Sequence, residues 1–314
     1  MKNKNLKSIL EVSFVTLALM FFQATAQAKL NVITSVTDLR TIVEAVGKDF
    51  VEVSSIAKGT QDPHFIDAKP SYMTKASHAD LVVCIGLGLE DAWLNSVIAG
   101  ARNPKVKIGS TGYLAVGPDL KPEEIPEGAK LSRSEGDVHP EGNPHVTVDP
   151  IRVAKAALLI GARLGELDPA HAAEFTKNAN AFSEHLTTKN AEWKKRIEKT
   201  GLKRVVTYHK TLDYFLSRMG IELTTVLEPK PGIEPSVNHL SEVMGVMKSK
   251  NTEVVLIENY FNPDVANKLK ELNPKVKVAV VPVSVEGDDK IKTNEQLFET
   301  LVNTIENLMK DSHS

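Results

Sequence analysis

The chain has 314 residues, 42% hydrophobic and 25% charged, which are the proportions of a soluble globular protein long enough for about two domains of ordinary size. Its 38 Lys plus Arg against 40 Asp plus Glu give a net charge of −2, which excludes the basic footprint that nucleic-acid binding requires. Cys84 is the only cysteine, so no intramolecular disulfide can form, and any metal site must use histidine and carboxylate.

Residues 1–28 read as a secretory signal: basic "MKNKNLK", apolar "ILEVSFVTLALMFF", then "AQA" ending at Ala28. The apolar run is too short to span a bilayer comfortably, and Glu11 interrupts it. The mature chain is expected to start near Lys29 and to be exported and soluble. There is no cysteine at the cleavage point to carry a lipid. "KLNVITSV" then predicts a strand, "TDLRTIVEAVG" a helix, "VEVSSIA" a strand, "SYMTKASH" a helix and "ADLVVCIG" a further strand. Residues from about 114 to 142, rich in Pro, Gly and charge, predict a long surface loop.

"DPIRVAKAALLIGARLGEL" follows as an amphipathic helix, and the stretch 168–200 is the longest helical pattern in the chain. Its Phe175, Phe182, Leu186, Trp193 and Ile197 form one apolar stripe, with no Gly or Pro between Ala170 and Thr200. The alternation then resumes: strand "RVVTY", helix "KTLDYFLSRMG", extended "TTVLEP", helix "SVNHLSEVMGVMKSK", strand "TEVVLIEN", helix "PDVANKLKEL", strand "VKVAVVPV" and helix "NEQLFETLVNTIENLMKD". The class is α/β: two similar lobes with parallel sheets (29–167 and 201–314), joined by one long interlobe helix (168–200).

Of nine histidines, His313 lies in the tail, His171 and His185 on the long helix, His78 and His239 in helical patterns, and His139 in the loop. His64 in "TQDPHFIDAKP", His145 in "GNPHVTVDP" and His209 in "VVTYHKTLDYF" each follow an extended segment and precede a polar turn or helix. Ligands of parallel α/β sheets gather at such strand ends. Neutral imidazole is the commonest metal ligand, and three imidazoles with a carboxylate or water make a tetrahedral zinc shell. The spacing alone leaves the alternative open that each is an ordinary turn histidine. "GLGLED" keeps two glycines of a dinucleotide loop, but Asp91 stands where the third would be, facing pyrophosphate with a like charge. A three-histidine zinc hydrolase needs a general base that the sequence does not present.

Taken together, "GTQDPHFIDAKPSYMTKASHADLVVCIGLGLEDAWL", "GNPHVTVDP", "VVTYHKTLDYFLSRMGIE" and "PKPGIEPSVNHL" resemble, in order, the blocks of the zinc- and manganese-binding proteins that feed metal ABC importers. The resemblance covers essentially the whole mature chain. It implies metal ligation by His64, His145 and His209, no catalysis, a membrane permease as partner, a monomer, and a periplasmic location. The family's fourth ligand, commonly an aspartate after a late strand, has no direct counterpart in "VVPVSVEGDD"; Glu286 is the expected fourth ligand, with Asp288, Asp289 or water as alternatives. Glu258 matches an acidic family position and is expected to support the site. Three histidines and one carboxylate favour Zn2+, with Mn2+ as the alternative cargo. His139 is expected to be an ordinary loop histidine. A zinc hydrolase and an adhesion protein on the same fold are the rival functions.

Overall fold

Val- and Ile-rich runs separated by amphipathic helices pair as parallel strands, because each crossover helix returns the chain to the same end of the sheet. The computed structural model, which describes residues 28–125, 139–230 and 232–310, contains two such sheets. In the first, β1 (Leu30–Thr34), β2 (Val51–Ser55), β3 (Leu81–Cys84) and β4 (Tyr113–Ala115) run parallel in the order β2-β1-β3-β4. In the second, β5 (Arg204–Thr207), β6 (Glu222–Val226), β7 (Val254–Glu258) and β8 (Lys277–Val281) repeat that order as β6-β5-β7-β8. Strands β3 and β7 are buried along their whole length, as parallel strands covered on both faces must be. Cys84 ends β3 inside this core, where burial, followed by the nearby Glu90 charge, pushes its thiol well up.

The first lobe carries α1 (Thr37–Gly47), α2 (Pro70–Ser77), α3 (Leu94–Ala101) and α4 (Pro150–Leu167). Helix α5 (Ala172–Thr200) has 29 residues and is therefore ~44 Å long. The second lobe carries α6 (Asp213–Met219), α7 (Val237–Lys250), α8 (Asp264–Leu272) and α9 (Asn294–Lys310). The stripe on α5 is buried at Phe175, Ala179, Leu186, Trp193 and Ile197, and Phe182 packs at its edge. One continuous apolar core consequently runs from Val32 and Leu39 through Trp193 to Val205 and Phe298. At its C-terminal end α5 is also clamped by polar bonds to α9. Trp193 Nε1 donates to Glu299 at 2.8 Å, and Arg196 reaches Glu299, Asn303 and Glu306.

Residue 114, where the sequence predicts the start of a loop, lies instead in β4. That strand has only three residues, too few to show a period, and it pairs with β3 at the sheet edge. Residues 126–138 of the expected loop, His313 and all but the last residue of the expected signal segment lie outside the described residues. Among the described residues, no helix is long and apolar enough to cross a membrane.

The lobes meet along a polar seam at the start of α1. Thr37 Oγ1 donates to the Val285 carbonyl at 2.6 Å, the Val285 amide donates to Asp38 Oδ1 at 3.2 Å, and Thr41 Oγ1 bonds Asn294 at 2.7 Å.

Candidate metal centre

Every polar residue of the site follows the carboxyl end of a strand, because parallel sheets point those ends the same way. His64 follows β2, His145 follows β4, and His209 comes two residues after β5. Glu228 follows β6 and Glu258 ends β7. His64, His145 and His209 are all buried, and one ring nitrogen from each lies within 4.8 Å of the others. His145 Nε2 and His209 Nε2 are 3.0 Å apart. A tetrahedral zinc with Zn–N of ~2.0–2.1 Å sets nitrogen separations of ~3.3 Å, so the His145–His209 pair is close to the spacing of two zinc ligands.

Each ring is oriented by a partner. Asp62 Oδ1 accepts from both the His64 amide at 3.0 Å and His64 Nδ1 at 2.7 Å, making a local Asx turn that leaves Nε2 pointed at the cluster. Burial pushes the Asp62 carboxyl up, but the hydrogen bonds and charge of His64 outweigh it and hold the group below the usual carboxylate range. Trp93 Nε1 donates to the Pro63 carbonyl at 2.9 Å and pins this turn to the first lobe. His209 gives its Nδ1 to Glu228, and its amide donates to Glu258 Oε1 at 3.2 Å. Burial pushes the Glu258 carboxyl up to about 8, against the His209 amide and the Thr211 hydroxyl, which favour its ionised form. His145 is held well below the ordinary histidine range by burial, followed by the charges of His209, His64 and His139, so its imidazole is neutral and free to ligate.

His139, expected to be an ordinary loop histidine, lies beside His64 but outside the three-histidine group: its Nε2 is 3.1 Å from His64 Nε2. Burial, then the charges of His64 and His209, push it down to about 3. Its ring rests over Gly88, where an added Cβ would meet His139 Nδ1 at 3.2 Å and where φ is +81°. The "GLGLED" turn thus seats a histidine. Glu90 closes that turn by accepting from the Ile85 and Gly86 amides at 2.8 and 2.9 Å.

Glu286, expected as the fourth ligand, is not brought into the three-histidine group. It takes φ +62°, and its carboxylate pairs with Arg40 of α1 at 2.9 Å, where the guanidinium competes for the lone pairs that a metal would need. Asp288 is likewise occupied, capping the Lys290 amide at 2.8 Å. Glu228, the partner of His209, was not legible in the sequence; its one local signal was a position two residues after β6, the strand that pairs with β5.

The family model for the periplasmic component A of the zinc-uptake complex, ZnuA, matches residues 32–308. The chain belongs to this family. ZnuA-family relatives include the zinc-binding lipoprotein AdcA of Streptococcus pneumoniae, 26% identical over 258 residues. That alignment covers 82% of this chain and 50% of AdcA, so the chain spans about half the length of this relative. The high-affinity zinc uptake system protein ZnuA of Brucella abortus is 24% identical, with 90% of this chain and 91% of that protein aligned. A mutant structure of the laminin-binding adhesin Lmb from Streptococcus agalactiae superposes with a TM-score of 0.74 at 23% identity, covering 89% of this chain and 99% of Lmb. At that identity the likeness to Lmb establishes the shared ZnuA-type fold and nothing about adhesion.

Proposed function

We propose that this protein captures Zn2+ in the cleft between its lobes and hands it to the membrane permease of an ABC importer. The observation that carries this is the convergence of the ring nitrogens of His64, His145 and His209, from turns of both lobes, each backed by a carboxylate or a fixed turn. His139 lies beside His64 but outside that group, and Glu286 would have to leave Arg40 to enter it, so the fourth position is open to water. A nitrogen-rich shell suits zinc, while oxygen-rich shells suit manganese. The family consists of uptake components, and no reaction is assigned. The boundaries that fit this function are a signal removed near Ala28, lobes at 29–167 and 201–314 around the helix 168–200, and a monomer acting in the periplasm.

The test is titration of the chelated protein with Zn2+ and with Mn2+. One zinc is expected per chain, together with a rise in melting temperature that grows with free metal: a ligand at 1,000 times its Kd adds ~4 kcal/mol. His209→Ala should weaken zinc binding by more than ~100-fold. His139→Ala should cost much less, because water can take an open fourth position. Equal losses from both variants would show the ligand set to be wrong, and a manganese preference would overturn the zinc assignment.

A further inference from the structure

Asn143 is buried two residues before His145, and it uses its polar groups to join loops of different origin. Its Oδ1 accepts from the His145 amide at 3.0 Å. Its Nδ2 donates to the carbonyl of Lys210, the residue after His209, at 3.1 Å, and also reaches Glu124 at 3.4 Å. Its own carbonyl accepts from Tyr214 Oη at 2.7 Å, and its amide donates to the Glu123 carbonyl at 2.9 Å. One side chain therefore connects the turn carrying His145 to the turn carrying His209, across the lobe boundary and without any metal in the path.

The surrounding contacts reinforce that connection. Tyr214 lies beneath the Arg152 guanidinium at 4.0 Å and accepts from the Glu123 amide at 2.9 Å. Asp149, fully buried at the start of α4, is gripped by Arg152 at 2.6 Å and by Arg218 of α6 at 2.8 Å. Opening the lobes along this seam would break the Asn143, Tyr214 and Arg218 bonds together. Moving the His64 turn, which Asp62 and Trp93 hold to the first lobe, breaks none of them and disturbs only the packing of Gly59 against the Val285–Gly287 backbone of the second lobe.

We propose that Asn143 is a positioning residue that holds His145 and His209 as one preformed pair spanning the lobes. The His64 turn is then the part that moves when metal enters and leaves. This deepens the metal-capture function proposed above and rests on it. The physical gain is preorganisation: the ion meets two imidazoles already spaced for it and orders only the remainder of the cage.

The test compares wild type with Asn143→Ala and Asn143→Asp by zinc competition, by the visible absorption of the Co2+ form and by the melting temperature of the metal-free protein. Asn143→Asp keeps the acceptor for the His145 amide but removes the donor to Lys210. Both variants should lose ~10–100-fold in zinc affinity and weaken the tetrahedral Co2+ bands. Wild-type affinity and Co2+ bands in either variant, or rescue by Asn143→Asp, would overturn the proposal.

A second measurement uses spin labels in the otherwise wild-type chain. The Lys155→Cys to Ser217→Cys distance across the seam should stay within about 2 Å on adding zinc, while the Lys58→Cys to Ser217→Cys distance changes by more than that. A shift across the seam, or a static Lys58 distance, would also overturn it. If wild type itself bound neither zinc nor cobalt, the metal function would fail and this proposal with it. Binding by wild type combined with unaffected variants sinks this proposal alone.

Discussion

At the scale of single residues, carboxylates fix which ring nitrogen His64 and His209 turn toward the cluster. Glu228 on His209 Nδ1 and Asp62 on His64 Nδ1 leave Nε2 of both rings for the cluster and raise their basicity toward a cation. Glu228→Gln keeps the size of the side chain and removes its charge. Zinc affinity should fall ~10–100-fold in a competition titration while the metal-free melting temperature changes little. Unchanged affinity would mean that Glu228 only fills space. His64, His145 and His209 were legible in the sequence because each sits in a strand-to-turn context, and the resemblance to metal-importer proteins selected them from nine histidines. The position of His139 was not legible, because nothing local says that its ring comes to rest over Gly88. For Glu286 the converse holds: its place after β8 suits a ligand, and only the fold shows Arg40, distant in sequence, paired with its carboxylate.

At the scale of elements, the long helix is held differently at its two ends. Near its start α5 crosses α4 closely at Gly161, where an added Cβ would lie 2.7 Å from Ala179 Cβ and 3.2 Å from the Phe175 carbonyl. Gly161→Val would force the two helices apart. It should destabilise the fold by about 1–3 kcal/mol or more, read as a lower denaturation midpoint, with zinc stoichiometry unchanged. The α5 stripe was legible because a 3.6-residue period over eight turns is a strong local signal. The three-residue β4 was not, since a strand that short acquires its identity only by pairing with β3.

At the scale of the whole molecule, the lobes are tied at the α1 seam, at the Asn143 seam and along α5, so a wide hinge motion would have to break all three. The α1 seam also carries a buried acid. Burial pushes Asp38 up to about 7, offset in part by bonds from the Val285 amide and the Ser284 hydroxyl. A carboxyl raised in the folded state contributes stability that is complete below its ordinary pKa near 4 and is lost as pH rises through about 7. Metal-free wild type should therefore lose on the order of 1–3 kcal/mol relative to Asp38→Asn between about pH 5 and about pH 8. Melting curves at the two ends of that range check it, and parallel pH profiles would refute it.

The sequence by itself determined the α/β class, the two-lobed plan and the long helix, and it singled out the three histidines that the fold brings together. Those properties are written in local periodicity, in strand-end context and in blocks of a shared motif. Only the tertiary structure decided which groups surround those histidines: His139 over Gly88, Glu228 behind His209, Asn143 between the two turns, and Arg40 on Glu286. Each of those contacts joins residues from different turns or different lobes, and such pairings exist only once the parallel sheets have aligned their carboxyl ends and the core along α5 has set the lobes side by side.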